Sequence, residues 1–207
     1  MVNYYSIKRS MEIAVMKNKK FEGFDKSEYA NGNYFEKYIK NDYCAKSDKI
    51  KKLFGDMYIP TKEDWSQLAK DVKKKGLYHG YRLAIAPTQS IGYIQNATAG
   101  ITPITDIIER RTYGDSTTYY PMPYLSVDNI LVYKSAFNMN MFKMIDLISV
   151  IQEHIDQGIS ATLFVDSETS TKELARYYIY AHKKNLKALY YTRTKNLSFD
   201  ECLVCSI

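Results

Sequence analysis

Arg82-Leu83-Ala84-Ile85-Ala86-Pro87-Thr88-Gln89-Ser90 is the stretch on which the reading of the fold turns. Five residues suited to a buried strand end at a proline, which cannot donate to a ladder. Hydroxyl residues of the kind that cap helices follow at once. The alternation then continues. Met139 to Gln157 places Met141, Met144, Ile145, Ile148, Ile151 and Ile155 on one helical stripe, with Gly158 at the C-cap. Ile159 to Val165 reads as a strand, Ser170-x-x-Glu173 as the capping box of a helix to Lys184, and Ala188 to Arg193 as the last strand. Strand, loop, helix, strand, helix, strand predicts an α/β architecture with parallel strands.

Upstream the pattern is helical. Residues 3–17 form an amphipathic helix with Tyr4, Ile7, Met11, Ile13, Ala14 and Met16 on its apolar side. Phe21 to Asn33 is loop-like, and Tyr34 to Tyr43 is a short aromatic-rich helix or an extended piece. Thr61 caps a helix bearing Trp65, Leu68 and Val72 that stops at Gly76, and Asp64 stands where a capping box usually has Glu or Gln. Residues 108–123 read as a polar, turn-rich loop ending in Tyr119-Tyr120-Pro121-Met122-Pro123. No linker divides the chain before its tail.

A chain of 207 residues can build one or two domains with a sizeable core. Its 45% hydrophobic and 25% charged residues are those of a soluble globular protein. No apolar run approaches the ~18–20 residues of a membrane span, and Met1-Val2-Asn3-Tyr4-Tyr5 lacks the apolar core of a signal peptide. The expected compartment is therefore cytoplasmic, with no membrane partner. The net charge of +6 comes from residues 1–75, where 17 Lys and Arg face 11 Asp and Glu. Those lysines alternate with acids at helical spacing, as on a solvated face, so no nucleic-acid partner is expected.

Three groups carry candidate chemistry. After a strand, Thr88, Gln89 and Ser90 would present hydroxyls and helix N-terminal amides to an anion. The spacing is not that of a Walker loop, and on these residues alone an N-capped helix without a ligand is the stronger reading. Cys202-Leu203-Val204-Cys205 lies on a terminal tail, where a vicinal thiol pair can travel and exchange a disulfide. A thioredoxin-type motif would open a helix, and only two residues follow Cys205. Zinc would need about four ligands, and Cys44, His79, His154 and His182 show no paired spacing, so no metal is expected. Tyr190 and Tyr191 supply phenols able to give up a proton and an electron together. In a chain with 20 Tyr, packing in a strand accounts for them as well, and taken alone it is the better account.

Read in order, these stretches resemble the C-terminal part of a ribonucleotide reductase large (alpha) subunit, most like class Ib. The resemblance rests on Pro87-Thr88-Gln89-Ser90-Ile91-Gly92-Tyr93-Ile94-Gln95-Asn96-Ala97-Thr98, on Tyr119-Tyr120-Pro121-Met122-Pro123-Tyr124, and on Leu189-Tyr190-Tyr191-Thr192-Arg193 with Cys202-x-x-Cys205. It extends through Phe21-Glu22-Gly23-Phe24, Ile59-Pro60-Thr61-x-Glu63-Asp64-Trp65 and His154-Ile155-Asp156-Gln157-Gly158 to essentially the whole chain. The two-residue spacing of the tail cysteines favours class Ib over class Ia.

The resemblance implies the later strands and helices of a ten-stranded α/β barrel over residues 1–194, helical at the N-terminal end, and a flexible redox tail over 195–207. It implies that Thr88, Gln89, Ser90 and Ile91 bind the diphosphate of a ribonucleoside diphosphate. Tyr190 and Tyr191 would pass a radical from the small (beta) subunit to an active-site thiol. Cys202 and Cys205 would re-reduce the active-site disulfide and take electrons from a thioredoxin- or glutaredoxin-like protein. No cofactor belongs to this chain on that reading; the radical comes from the metal-containing small subunit. The family's Asn-Leu-Cys-x-Glu finger loop, its active-site reducing cysteines and its regulatory nucleotide site have no counterpart here. Cys44, in Asp42-Tyr43-Cys44-Ala45, lacks the finger-loop flanks and is given no role. The expectation is one piece of a split alpha subunit, inactive until joined to an N-terminal piece and the small subunit. The competing expectation is a non-catalytic remnant that binds the small subunit or a redoxin without turnover.

Overall fold

The computed structural model describes residues 1–41, 43–88 and 90–195. They are mixed helix and sheet, and they divide into two compact units, Met1–Arg82 and the chain from Leu83 onward.

The first unit is helical. α1 (Val2–Lys17) ends as expected, with Asn18 in the left-handed conformation. The stretch expected to be a loop holds a 3-10 turn at Phe24–Lys26 and a single-turn α2 (Glu28–Asn31). Gly23 and Gly32, at φ 81 and φ 92, permit these abrupt starts and stops, and the Ser27 hydroxyl accepts the Ala30 amide. The aromatic segment is helical, as α3 (Asn33–Lys40), and a further short helix, α4 (Asp48–Phe54), was not signalled by any apolar stripe and buries nothing. α5 (Lys62–Lys75) carries the reciprocal capping box: Thr61 accepts the Asp64 amide, and Asp64 accepts the Thr61 amide. Its buried face is Trp65, Leu68 and Val72. These pack with Ile7, Met11, Phe35 and Tyr38, and the Trp65 and Tyr38 rings stack with centroids 3.8 Å apart. The buried Asn3 amide donates to the Tyr34 and Tyr38 hydroxyls at 2.8 and 2.7 Å.

The second unit holds the sheets. α6 (Ser90–Ile94) is a single turn. Residues 108–123 are not a loop. They form a hairpin of β1 (Ile108–Tyr113) and β2 (Ser116–Pro121), antiparallel, with Tyr113 opposite Ser116. Gly114, at φ 57, takes the first of the two turn positions, where a glycine removes the steric cost. α7 (Met141–Gln152) buries Met141, Met144, Ile145 and Ile148, and Ile151 and Ile155 pack at the edge of the same core. Gly158 is not its cap. The helix ends at Glu153, because the Gln152 side-chain amide donates to the carbonyls of Ile155 and Gln157 and draws the chain away from the helix axis.

β3 (Thr162–Asp166) and β4 (Tyr191–Lys195) pair in parallel across α8 (Thr171–Lys183), whose N-terminus is capped by Ser170. Leu163, Phe164 and Val165 are all buried, as a strand covered on both faces requires. The 82–86 stretch is a correction: it is a parallel bridge of Ile85 to Ile159 rather than a buried strand. Ile85 donates to Gly158 O at 3.1 Å and accepts from Ser160 N at 2.8 Å, but Ala84 and Ala86 stay exposed. The described strands thus make two two-stranded sheets, which do not by themselves close a barrel. Among the described residues no helix is long and apolar enough to cross a membrane.

Candidate functional site

The second unit encloses a cavity of about 380 Å³, within the range that accommodates small ligands. Three pieces of chain bound it. One is the loop from Ile85 to Thr105, one is the hairpin, and one is the β3–β4 pair with Tyr190, Tyr191 and Arg193.

The loop is tied by its own backbone. The Thr88 amide donates to Ala99 O at 2.6 Å, Ile91 N to Thr88 O at 3.0 Å, and Ala97 N to Gly92 O at 2.8 Å. Gly92 permits the last of these approaches, since a Cβ there would lie 3.1 Å from Ala97 O and 3.2 Å from Thr98 O. The amides of Thr88 and Ile91 are therefore committed inside the loop, and what exposed Thr88 offers an anion is its hydroxyl. Pro87 lines the cavity; Thr88 and Ile91 lie beside it, outside the lining. The side chain of Ser90, the whole of Gln89, and Cys202 and Cys205 lie outside the described residues.

The tyrosine pair is placed by β3. Tyr190 N donates to Ala161 O at 2.7 Å, and Tyr191 pairs with Thr162 at the start of β4. The two rings touch, with centroids 4.5 Å apart at 45°, and both line the cavity. They remain about half exposed, at 58% and 50%, so they are not the packed core residues that a Tyr-rich strand alone suggests.

The hairpin supplies the residues that the sequence reading missed. Side chains two apart on a strand share a face, so Glu109 and Arg111 point the same way, and Tyr120 sits directly opposite Glu109. An Arg111 to Glu109 ion pair at 3.0 Å joins a hydrogen bond from the Tyr93 hydroxyl to Glu109 at 3.0 Å. The Arg111 guanidinium lies 4.8 Å from the Tyr93 ring, and Tyr93 stacks on Tyr120 at 4.3 Å. All four line the cavity. The Gly-Asp pair at 114–115, flanked by Thr and Tyr runs, was the available signal for a hairpin. Among the described residues no group of three or more His, Cys, Asp or Glu is placed to hold a metal.

The profile described as "Ribonucleotide reductase, barrel domain" matches residues 1–192. The chain belongs to the ribonucleotide reductase barrel-domain family. Over its whole length it is 54% identical to the ribonucleoside-diphosphate reductase NrdEB subunit alpha of Bacillus subtilis (strain 168), covering 19% of that protein. It is 51% identical over 207 residues to the ribonucleoside-diphosphate reductase subunit alpha of the same strain, covering 30% of it. It is 37% identical over 223 aligned positions to the corresponding alpha subunit of Mycoplasma pneumoniae, covering 31% of it. The chain thus spans less than a third of the length of these relatives, and it is homologous to the C-terminal region of such alpha subunits. The reductase-family segment includes the loop, the hairpin and the tyrosine pair, that is, all of the cavity wall except Arg193.

Proposed function

We propose that this chain is the C-terminal part of a class Ib ribonucleoside-diphosphate reductase alpha subunit, one piece of a split subunit that completes a ten-stranded α/β barrel with an N-terminal piece. The assembled enzyme acts in the cytoplasm with a metal-containing small subunit and a thioredoxin- or glutaredoxin-like reductant, and reduces ribonucleoside diphosphates to deoxyribonucleotides. The observation that carries this reading is one cavity lined both by the Ile85–Thr105 loop and by Tyr190 and Tyr191. Tyr190 and Tyr191 line that space, and the loop that carries Thr88 runs along it, which is what a substrate held near a pair of oxidisable phenols needs.

Each residue has a stated part. Thr88, Gln89, Ser90 and Ile91 hold the diphosphate, with the Thr88 hydroxyl as donor, since its amide is already bonded to Ala99. Tyr190 and Tyr191 relay the radical. At each step one phenol loses an electron and a proton, and the preceding radical gains both. Ring contact at 4.5 Å suits such a hand-over, and a phenylalanine ring, which has no ionisable O–H, would not support it. Cys202 and Cys205 reduce the active-site disulfide by exchange: one thiolate attacks a disulfide sulfur, and the second releases the mixed disulfide as a new Cys202–Cys205 bond. The redoxin then reduces that bond.

Rescue assays test the assignment in enzyme reconstituted from this chain, the remainder of the alpha subunit and the small subunit. Cys202→Ser or Cys205→Ser abolishes turnover driven by a redoxin, and a small dithiol that reaches the active site restores it. Tyr190→Phe or Tyr191→Phe keeps the ring but removes the ionisable O–H, and no reductant restores activity. Thr88→Ala weakens nucleoside diphosphate binding by about 1–3 kcal/mol, the cost of losing a hydrogen bond to a charged group. Normal turnover in a Tyr→Phe enzyme would return that residue to packing alone.

A further inference from the structure

We infer that Glu109 and Arg111 are positioning residues, which hold Thr88 in place by clamping Tyr93. The inference rests on the diphosphate-loop reading above and adds to it a device on a separate element. Tyr93 belongs to the single turn α6, too short to hold its own orientation. Three contacts from the hairpin fix it: the hydrogen bond to Glu109, the Arg111 guanidinium over its face and the Tyr120 ring stacked on it. The ion pair at 3.0 Å locks Arg111 and Glu109 to each other, and both side chains are about four-fifths buried, so the pair is shielded from solvent screening.

From Tyr93 the constraint passes along the backbone. Asn96 N bonds Tyr93 O at 3.2 Å, Ala97 N bonds Gly92 O, and Ile91 N bonds Thr88 O. Thr88 is then closed onto Ala99 through its own amide. Its carbonyl and amide are both tied to the segment that carries Tyr93, so the place of its hydroxyl follows the place of that ring. The strand register puts Glu109, Arg111 and Tyr120 on one face, where they meet one aromatic ring together.

The test uses the reconstituted holoenzyme and two readouts. Hydrogen exchange at the amides of Ile91, Gln95, Asn96 and Ala97 reports the clamp without any substrate. Steady-state kinetics with a ribonucleoside diphosphate reports its use. Arg111→Ala and Tyr93→Phe speed exchange at these amides and raise KM about fivefold or more with kcat within about twofold, as expected when a charged hydrogen-bond contact is lost from binding and not from the chemical step. Glu109→Gln, nearly isosteric, does the same to a smaller extent, and Arg111→Lys, which retains the charge over the ring, recovers part of the loss. Unchanged exchange in Arg111→Ala and Tyr93→Phe overturns the clamp. Faster exchange with unchanged KM, in an enzyme whose KM does rise on Thr88→Ala, overturns the positioning role and leaves the diphosphate loop standing. If Thr88→Ala also leaves KM unchanged, the loop reading has failed and the positioning role fails with it.

Discussion

Tyr177 shows how one phenol registers its surroundings. Burial, and then the hydrogen bond it donates to Glu173 at 2.6 Å, push its pKa up to about 12 from an ordinary value of about 10. Below pH 10 the phenol is protonated whether the chain is folded or not, and its contribution to stability is complete. Between about pH 10 and 12 the unfolded phenol ionises first, so stability falls as pH rises through that window. Tyr4 and Tyr38, also pushed up chiefly by burial, act with the same sign. Melting temperatures from pH 9 to 12 should therefore drop less steeply for Tyr177→Phe than for the unaltered chain; equal slopes would show that the phenol is not held this way. Asp146 has the opposite sign. Its hydrogen bonds from Lys184 and Tyr180 hold it below the usual carboxylate range, and what they contribute is lost in acid. At Thr61 the outcome is simpler. Thr61→Ala removes one half of a reciprocal cap and costs about 1 kcal/mol, measured by urea unfolding.

Elements differ in how far their own residues announce them. α5 was readable because a cap, a stripe and a stop all lie in or beside the helix, and α8 because Ser170 marks its start. α7 was readable along its stripe but not at its end, since the event that ends it is a side-chain bond from Gln152 to carbonyls beyond the helix. The hairpin was obscured by polarity. Glu109, Arg110, Arg111 and the threonines look like a loop, and only their alternation across a Gly-first turn marks strands. The same obscurity hid Glu109 and Arg111 on the cavity wall. The loop and the tyrosine pair were legible as residues, but their meeting around one space was not, because that depends on pairings between segments far apart in the chain. α5 gives a prediction of its own: Trp65→Ala removes the ring stacked on Tyr38 and costs about 3–5 kcal/mol in chemical unfolding, whereas an exposed change such as Lys73→Ala costs under about 0.5 kcal/mol.

Over the molecule as a whole, apolar surface is left uncovered. Ile94, Val127, Leu131 and Val132 are between 74% and 93% exposed, and Leu147 and Val150 show an apolar outer side on α7. Strand edges that lack a neighbour within the described residues favour pairing with added chain. Mixing with the remainder of the alpha subunit should therefore raise the melting temperature in a concentration-dependent way. A chain that melts cooperatively at the same temperature with and without that partner would contradict the split-barrel reading.

The distances along the chain between paired segments also set an order of events. Thr162 meets Tyr191 across α8, a crossover of about thirty residues, whereas Ile85 meets Ile159 only after more than about seventy residues have been gathered in. Long closures are slow because their entropy is lost before their contacts form. The β3–α8–β4 unit is therefore expected to assemble first and the Ile85 bridge second, so that Tyr190 and Tyr191 are in place before the Ile85 segment joins them and the cavity forms late in folding. Pulse-labelled amides of Leu163 and Val165 should gain protection ahead of those of Ile85 and Ser160, and a mutation that slows this last closure would delay the cavity without delaying the strands beside it.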